Sequence, residues 1–356
     1  MASDSLYLIR ATRASPPGHA SADDHRREVY CAALAQFDEL IVSASSVGPA
    51  SRPLPLFYAL SQAGRAIAAA NAKRAWQLSG HGLTAKELHG KPLNIKVKRK
   101  TANAKDVHLV DSVTGVADAT ASAVFAGDAT VGELWRSLPE VYDLLPVPQR
   151  EGRPPLAVAS EEAHDPHLPA NMRMRLDPNH FSAVVIEFDG SGEELQQTLG
   201  QHYPTAAGGQ VCTVPGFDSA PKTATLFGAG YLVKWPVDSA SSEVPALALE
   251  RIAPEIGVRV PPRSRPGALF QPAPGFEPRW LRPAVGGVAL SSLLTWWVLL
   301  FGLSMLARYE PAGWMRALDY DQSELAAPLD RLLATGIERV PELVVDALLK
   351  NEAPGK

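Results

Sequence analysis

Apolar positions recur at helical spacing at both ends of this chain and alternate with polar ones through its middle. The strongest signal is Ala284 to Ala307, twenty-four residues without a charge, closed by Arg308-Tyr309-Glu310-Pro311. A run of that length passes the test for a membrane-spanning helix, yet a helix apolar on all sides is also the centre of a large globular domain. Three features favour burial. Ser291, Thr295 and Gly302, with Ser292 close by, form a seam of small residues where another helix can pack. Arg282 and Arg308 are single flanks, one at each end, so there is no positive-inside bias. Trp296 and Trp297 sit mid-run and not where interfacial aromatics belong. Glu310-Pro311 ends the helix, because the residue before proline is driven out of the α region.

Before the run, residues 1–20 read as an arm ending in Ser15-Pro16-Pro17-Gly18. Ser21 caps a helix to about Ser45, with Val29, Ala33, Phe37, Leu40 and Ile41 as its apolar stripe. Pro53 opens a second helix, to Trp76, whose Ala66-rich face suits close packing; Arg65 stands inside it. Ser79-Gly80-His81-Gly82-Leu83 is a turn that exposes an imidazole. From Pro92 the period becomes two: Leu93, Ile95 and Val97 alternate with Asn94, Lys96 and Lys98. Val107 to Leu109 and Val116 to Phe125 are further strands, as is Phe181 to Phe188. Thr130 with Glu133, and Ser191 with Glu194, are capping boxes opening helices at Val131 to Ser137 and Glu193 to Leu199. Thr223 to Trp235 is a hairpin turning near Gly228-Ala229-Gly230. Beyond the apolar run come helices from Trp314 to Asp319, from Glu324 to Ala334 behind Ser323, and from Glu342 to Leu349 behind Pro341. Helices, then a β-rich middle, then helices define an α+β protein. The expected organisation is an arm (1–20), a helical bundle from residues 21–91 and 281–356, and an inserted mixed region, 92–280.

Composition narrows the function more than it identifies it. Hydrophobic residues make up 46% and charged residues 20%, as in globular proteins. The net charge of −4 gives no overall pull toward nucleic acid or anionic lipid, so any such binding needs a local patch. Cys31 reads as a core thiol, and neither it nor Cys212 has a Cys-x-x-Cys partner, so no zinc or redox motif is offered. The first residues show no secretory signal, which makes the cytoplasm the expected compartment. No phosphate-binding loop, dinucleotide fingerprint or nucleophile elbow occurs. Glu161, Glu162, His164, Asp165 and His167 bring metal-ligand types together, but among prolines and without periodicity they read as a solvated loop. No metal or cofactor is expected.

Four segments resemble the YaaC-like proteins of bacteria: RPLPLFYALSQAGRAIAAA (Arg52 to Ala70), GHGL (Gly80 to Leu83), TVGELWRSLPEV (Thr130 to Val141) and, most specifically, LLFGLSMLARYEPAGW (Leu299 to Trp314). The resemblance implies a soluble cytoplasmic protein and carries no catalytic residue with it. An association of some relatives with purine-nucleotide metabolism points toward a regulatory role. Arg74 and His81 have the spacing of the Arg-x4-6-His signature of HEPN ribonucleases, where the histidine acts as general base and the arginine steadies a phosphate. Here Ala75 follows the arginine and Gly80 breaks the helix that should align the pair.

The sequence thus predicts a non-enzymatic binding or regulatory protein whose partner is a nucleotide, a nucleic acid or another protein, homodimer included. Its anion site is expected around Arg65, Arg74, His81, Lys96, Lys98 and Arg308, cations on or beside otherwise apolar segments. The alternatives are a metal-independent ribonuclease using His81 and Arg74, and a membrane-associated protein anchored through 284–307.

Overall fold

A computed structural model describes residues 2–100, 109–124, 127–149, 154–159, 181–188, 190–204, 210–211, 223–225, 228–236, 250–251 and 279–349. They form two compact units, residues 1–151 with 285–356, and residues 152–284. The architecture is α+β, with helices at both ends of the sequence and strands in its middle.

In the first unit, α1 (Ala2–Ala14), α2 (Asp24–Ser46) and α3 (Pro53–Asn71) lead into strands β1 (Gln77–Leu78), β2 (Leu83–Lys86), β3 (Lys96–Arg99) and β4 (Leu109–Val110). Then come α4 (Ser112–Ala119), β5 (Asp128–Thr130) and α5 (Val131–Arg136). β1 pairs in parallel with β4, and β2, β3 and β5 form an antiparallel sheet. Among the described residues the second unit comprises one antiparallel sheet and a helix. β6 (Leu156–Ala159), β7 (Phe181–Glu187), α6 (Gly192–His202), β8 (Gln210–Val211), β9 (Thr223–Thr225), β10 (Gly228–Pro236), β11 (Glu250–Arg251) and β12 (Arg279–Leu281) follow in order. The strands pair as β11-β12-β6-β7-β10-β8, with β9 also on β10. Ile186 lies opposite Tyr231 across β7 and β10, and both are buried with Leu195 and Leu199 of α6. The chain then returns to the first unit as α7 (Ser292–Tyr309), α8 (Pro311–Ala317) and α9 (Ala326–Leu349).

Helix α7 is the axis of the first unit. Among the described residues it is the one helix long and apolar enough to cross a membrane, and 78% of it is buried inside the protein. Trp296, Trp297, Leu299, Leu300 and Leu303 are fully buried, each contributing about 1.5–3 kcal/mol by leaving water. Helix α3 crosses it at Gly64, where a Cβ would lie 2.4 Å from Trp297 Cη2. Polar side chains tie the helix ends together. Arg26 donates through Nη1 to the carbonyls of Ala69 and Ala72, satisfying the C-terminal end of α3. Asn71 Nδ2 donates to Ala347 O on α9.

Several elements depart from the sequence pattern. Residues 2–14, expected as an arm, form α1, with Ile9 buried. Helix α2 starts at Asp24 because Asp23, and not Ser21, accepts the N–H of Arg26. Helix α3 ends at Asn71, five residues short of Trp76, where Ala72 turns extended and Arg26 takes up the carbonyls. The expected strand from Val116 is instead α4, because Asp111 caps it through the N–H of Thr114 and its Val and Ala side chains are buried. The strand at Pro92 begins only at Lys96, after a 3₁₀ turn over Pro92–Asn94. Ala284 to Leu290 is not helical: Gly286 and Gly287 have φ of 58° and 89°, and Ser291 caps a shorter helix. The two last helices are one, α9, with Pro341 inside it. An interior proline costs about 3 kcal/mol, and burial of Leu332, Leu333, Val340, Leu343 and Val344 on both sides outweighs it. The glycines of the 223–235 hairpin lie within β10, and residues 226–227 between β9 and β10 lie outside the described residues. Cys212, His108 and the 161–167 cluster also lie outside them. Residues 92–151, which the sequence assigns to the insertion, group with the helical unit, because Ile95, Val97 and Val131 bury against Gly302 of α7. Both capping boxes are present.

Candidate functional site

His81 is set by the glycines around it. Gly80 and Gly82 have φ of 66° and 72°, a region that side chains avoid. At Gly82 a Cβ would also lie 2.0 Å from Asp111 Oδ1. The loop is clamped from both sides: Ser112 Oγ donates to Gly80 O at 2.6 Å, and Lys100 N donates to Gly82 O at 2.8 Å. Asp111 is itself fixed, accepting from the Thr114 N–H and hydroxyl at 2.9 and 2.7 Å.

The clamp lays the imidazole against aromatic rings. Its centroid is 5.2 Å from Phe57 of α3 and 6.0 Å from Phe301 of α7, with Phe57 edge-on to Phe301 as well. Together with Leu54, Tyr58, Leu83, Ser304, Met305, Arg308 and Tyr309 these residues line an open cavity of ≈ 160 Å³. Tyr58 and Tyr309 stand at 37% and 52% exposure, a partly solvated aromatic rim. Arg308 lies over the Tyr309 ring at 5.0 Å and has no carboxylate partner among the described residues. The adjacent carboxylate, Glu310, is occupied by His89 at 2.8 Å.

The His81 pKa falls below the ordinary histidine value, first because burial penalises the imidazolium, then because Arg65 and Arg308 repel it. The cavity therefore presents a neutral imidazole and one guanidinium group, that of Arg308, at neutral pH, with the charge of Arg65 acting from outside it. The unfolded chain takes up the proton first as the pH falls. This group's contribution to stability is thus complete above the usual histidine range near 6.5 and is lost as the pH drops toward the lowered value. Denaturation midpoints should show this acid-side loss in the wild type and lack its His81 component in His81→Asn.

Other predicted site residues fall elsewhere. Arg65 donates to Leu78 O at 3.2 Å and lines a second cavity, of ≈ 110 Å³, with His25, Val29, Trp76, Gln77 and Leu78. Its charge still reaches His81. Arg74 is exposed in the bend beyond α3 and lines neither cavity; the helix that would align it with His81 has already ended. Lys96 and Lys98 do not line the cavities either. They are ion-paired on the sheet surface, Lys96 with Glu87 at 2.7 Å and Lys98 with Asp128 at 2.6 Å. Among the described residues no group of His, Cys, Asp and Glu side chains is arranged to hold a metal.

Phe57, Tyr58, Phe301 and Tyr309 escaped the sequence reading as site residues. Their signal was present, since Leu54, Phe57 and Tyr58 share a face of α3 with Arg65, and Phe301, Met305 and Arg308 share one of α7. The family model for YaaC-like proteins matches residues 7–208 and 270–348, which include every residue of both cavities. No curated protein and no solved structure matches the chain.

Proposed function

The chain belongs to the YaaC-like family, and from that premise we propose that it is a cytoplasmic binding protein of regulatory type that recognises a nucleotide at the His81 cavity. The observation that carries the reading is a cavity walled by aromatic rings, where a half-buried histidine shares the wall with Arg308 and feels the charge of Arg65 from the neighbouring cavity, neither arginine with a carboxylate partner among the described residues. Aromatic walls accept a flat heterocycle, and guanidinium groups without counter-charges favour an anion, phosphate above all. At ≈ 160 Å³ the cavity is below the roughly 300–1,000 Å³ that encloses a drug-sized ligand, so a ring enters and the rest of the molecule stays outside toward Arg308. The bland account of these arginines, snorkelling to solvent, does not explain why the charges of both act on one desolvated histidine.

The ribonuclease alternative finds little support: Arg74 is exposed in a bend, and His81 faces rings and Arg308 with no carboxylate or second histidine beside it in the cavity. Calorimetry with the four common ribonucleoside monophosphates tests the proposal. At least one should bind the wild type, and Arg308→Ala should weaken it about tenfold or more, the scale of one lost charge-assisted contact. Equal affinity in both proteins would remove this cavity as the site.

A further inference from the structure

The segment from Trp76 to Leu83 runs along one face of α3 and joins the two cavities. Trp76, Gln77 and Leu78 line the smaller one with Arg65, and His81 and Leu83 line the larger one with Tyr58. Tyr58 and Arg65 are seven residues apart on α3, two turns of one face, so the cavities are spaced by roughly 10 Å along the helix. Each holds the same chemistry: an aromatic wall, a histidine and an arginine. In the smaller, Trp76 is fixed by His25 edge-on at 5.3 Å and by the Arg26 guanidinium over its ring at 5.0 Å.

Between them lies the glycine loop. The backbone N–H groups of Gly80, His81 and Gly82 have no acceptor among the described residues, while the carbonyls of Gly80 and Gly82 are both engaged. Among the described residues nothing lies within 4 Å of the position a Gly80 Cβ would take, so none of them blocks the approach to its backbone. Consecutive N–H donors in left-handed turns form a concavity that takes an oxyanion. The nearby Asp111 carboxylate is turned onto Thr114.

We propose that the two cavities and the Gly80–Gly82 loop are one elongated site for a dinucleotide, with a ring in each cavity and the phosphate bridge on the loop between Arg65 and Arg308. It rests on the nucleotide reading of the His81 cavity. A second ring engaged on the same molecule multiplies affinity, because its binding becomes intramolecular.

The test uses the full chain in calorimetry. The probes are the mononucleotide that binds best and its 5′,5′-linked dimers with two, three and four bridging phosphates. At least one dimer should bind about tenfold or more tightly than the monomer. Trp76→Ala should remove that advantage, bringing the dimer down to the affinity that the His81 cavity alone gives, and Trp76→Phe should retain it. If the monomer binds but every dimer only matches it, or if Trp76→Ala leaves the advantage intact, the bipartite site is wrong and the single-cavity reading stands. If neither monomer nor dimer binds, both readings are wrong.

Discussion

Trp297→Ala will destabilise the protein by about 3–5 kcal/mol, the range for truncating a buried large aromatic. Its ring is fully buried at the crossing of α3 and α7, edge-on to Phe57 at 6.4 Å. The effect should be complete in detergent-free buffer, read as a shift in urea midpoint with unchanged slope. A helix held in lipid would give no such transition without detergent. The crossing also predicts a coupling. Gly64→Ala places a methyl 2.4 Å from Trp297 Cη2 and 2.8 Å from Val116 Cγ2, and overpacking of that kind costs about 1–3 kcal/mol. Trp297→Phe removes the ring atoms that a Cβ on Gly64 would strike and leaves a void there, so it is destabilising by the opposite error. Combined, the added methyl occupies the vacated space. The double variant should be less destabilised than the sum of its parts by about 0.5–3 kcal/mol. Strict additivity would mean that α3 and α7 do not meet at this pair.

Much of this arrangement is legible in the sequence, and the failures have local causes. The burial of α7 follows from the mid-run tryptophans and the single flanking arginines, because a spanning helix would place both differently. Its true start does not follow from hydropathy, since Gly286 and Gly287 are apolar by composition and left-handed by conformation. At α4 a short Val- and Ala-rich stretch carries no period that separates strand from helix, and the cap at Asp111 decides it. Pro341 reads as a helix start on local rules and is overruled by burial on both sides. At the site, Arg65, His81 and Arg308 stand out as polar residues in apolar surroundings. Lys96 and Lys98 stood out for the same reason and proved to be ion-paired, because no sequence spacing announces partners brought in by a loop or a neighbouring strand. The second cavity was invisible for a similar reason: His25 reaches Trp76 only when α2 folds onto the segment after α3.

Arg339→Ala will be destabilising by about 3–5 kcal/mol, because it strips the counter-charge from buried carboxylates. Arg339 lies on α9 with its side chain 2% exposed; Nε is 3.4 Å from Glu140 Oε1, and Nη1 donates to Glu342 Oε2 at 3.0 Å. Glu140, with its side chain 1% exposed, also accepts from Trp296 Nε1 at 2.8 Å, so the network links α7 to α9. The Glu342 carboxyl is already held above the ordinary carboxylate range: burial raises it most, Arg339 opposes that, and Asp346 and Glu140 raise it further. A carboxyl raised on folding favours the native state below the ordinary carboxylate pKa and loses that contribution as the pH climbs through the raised value. Removing Arg339 removes the opposing influence and raises Glu342 further. The deficit of Arg339→Ala should therefore be largest at neutral pH and shrink as the pH falls toward the ordinary carboxylate range, because Glu342 takes up its proton above that range. Urea midpoints of wild type and variant across that interval measure it. Adding Glu140→Gln and Glu342→Gln to the variant removes the bare charges and should recover most of the neutral-pH loss. A deficit that ignores both pH and the amide substitutions would show that Arg339 acts by packing and not by charge.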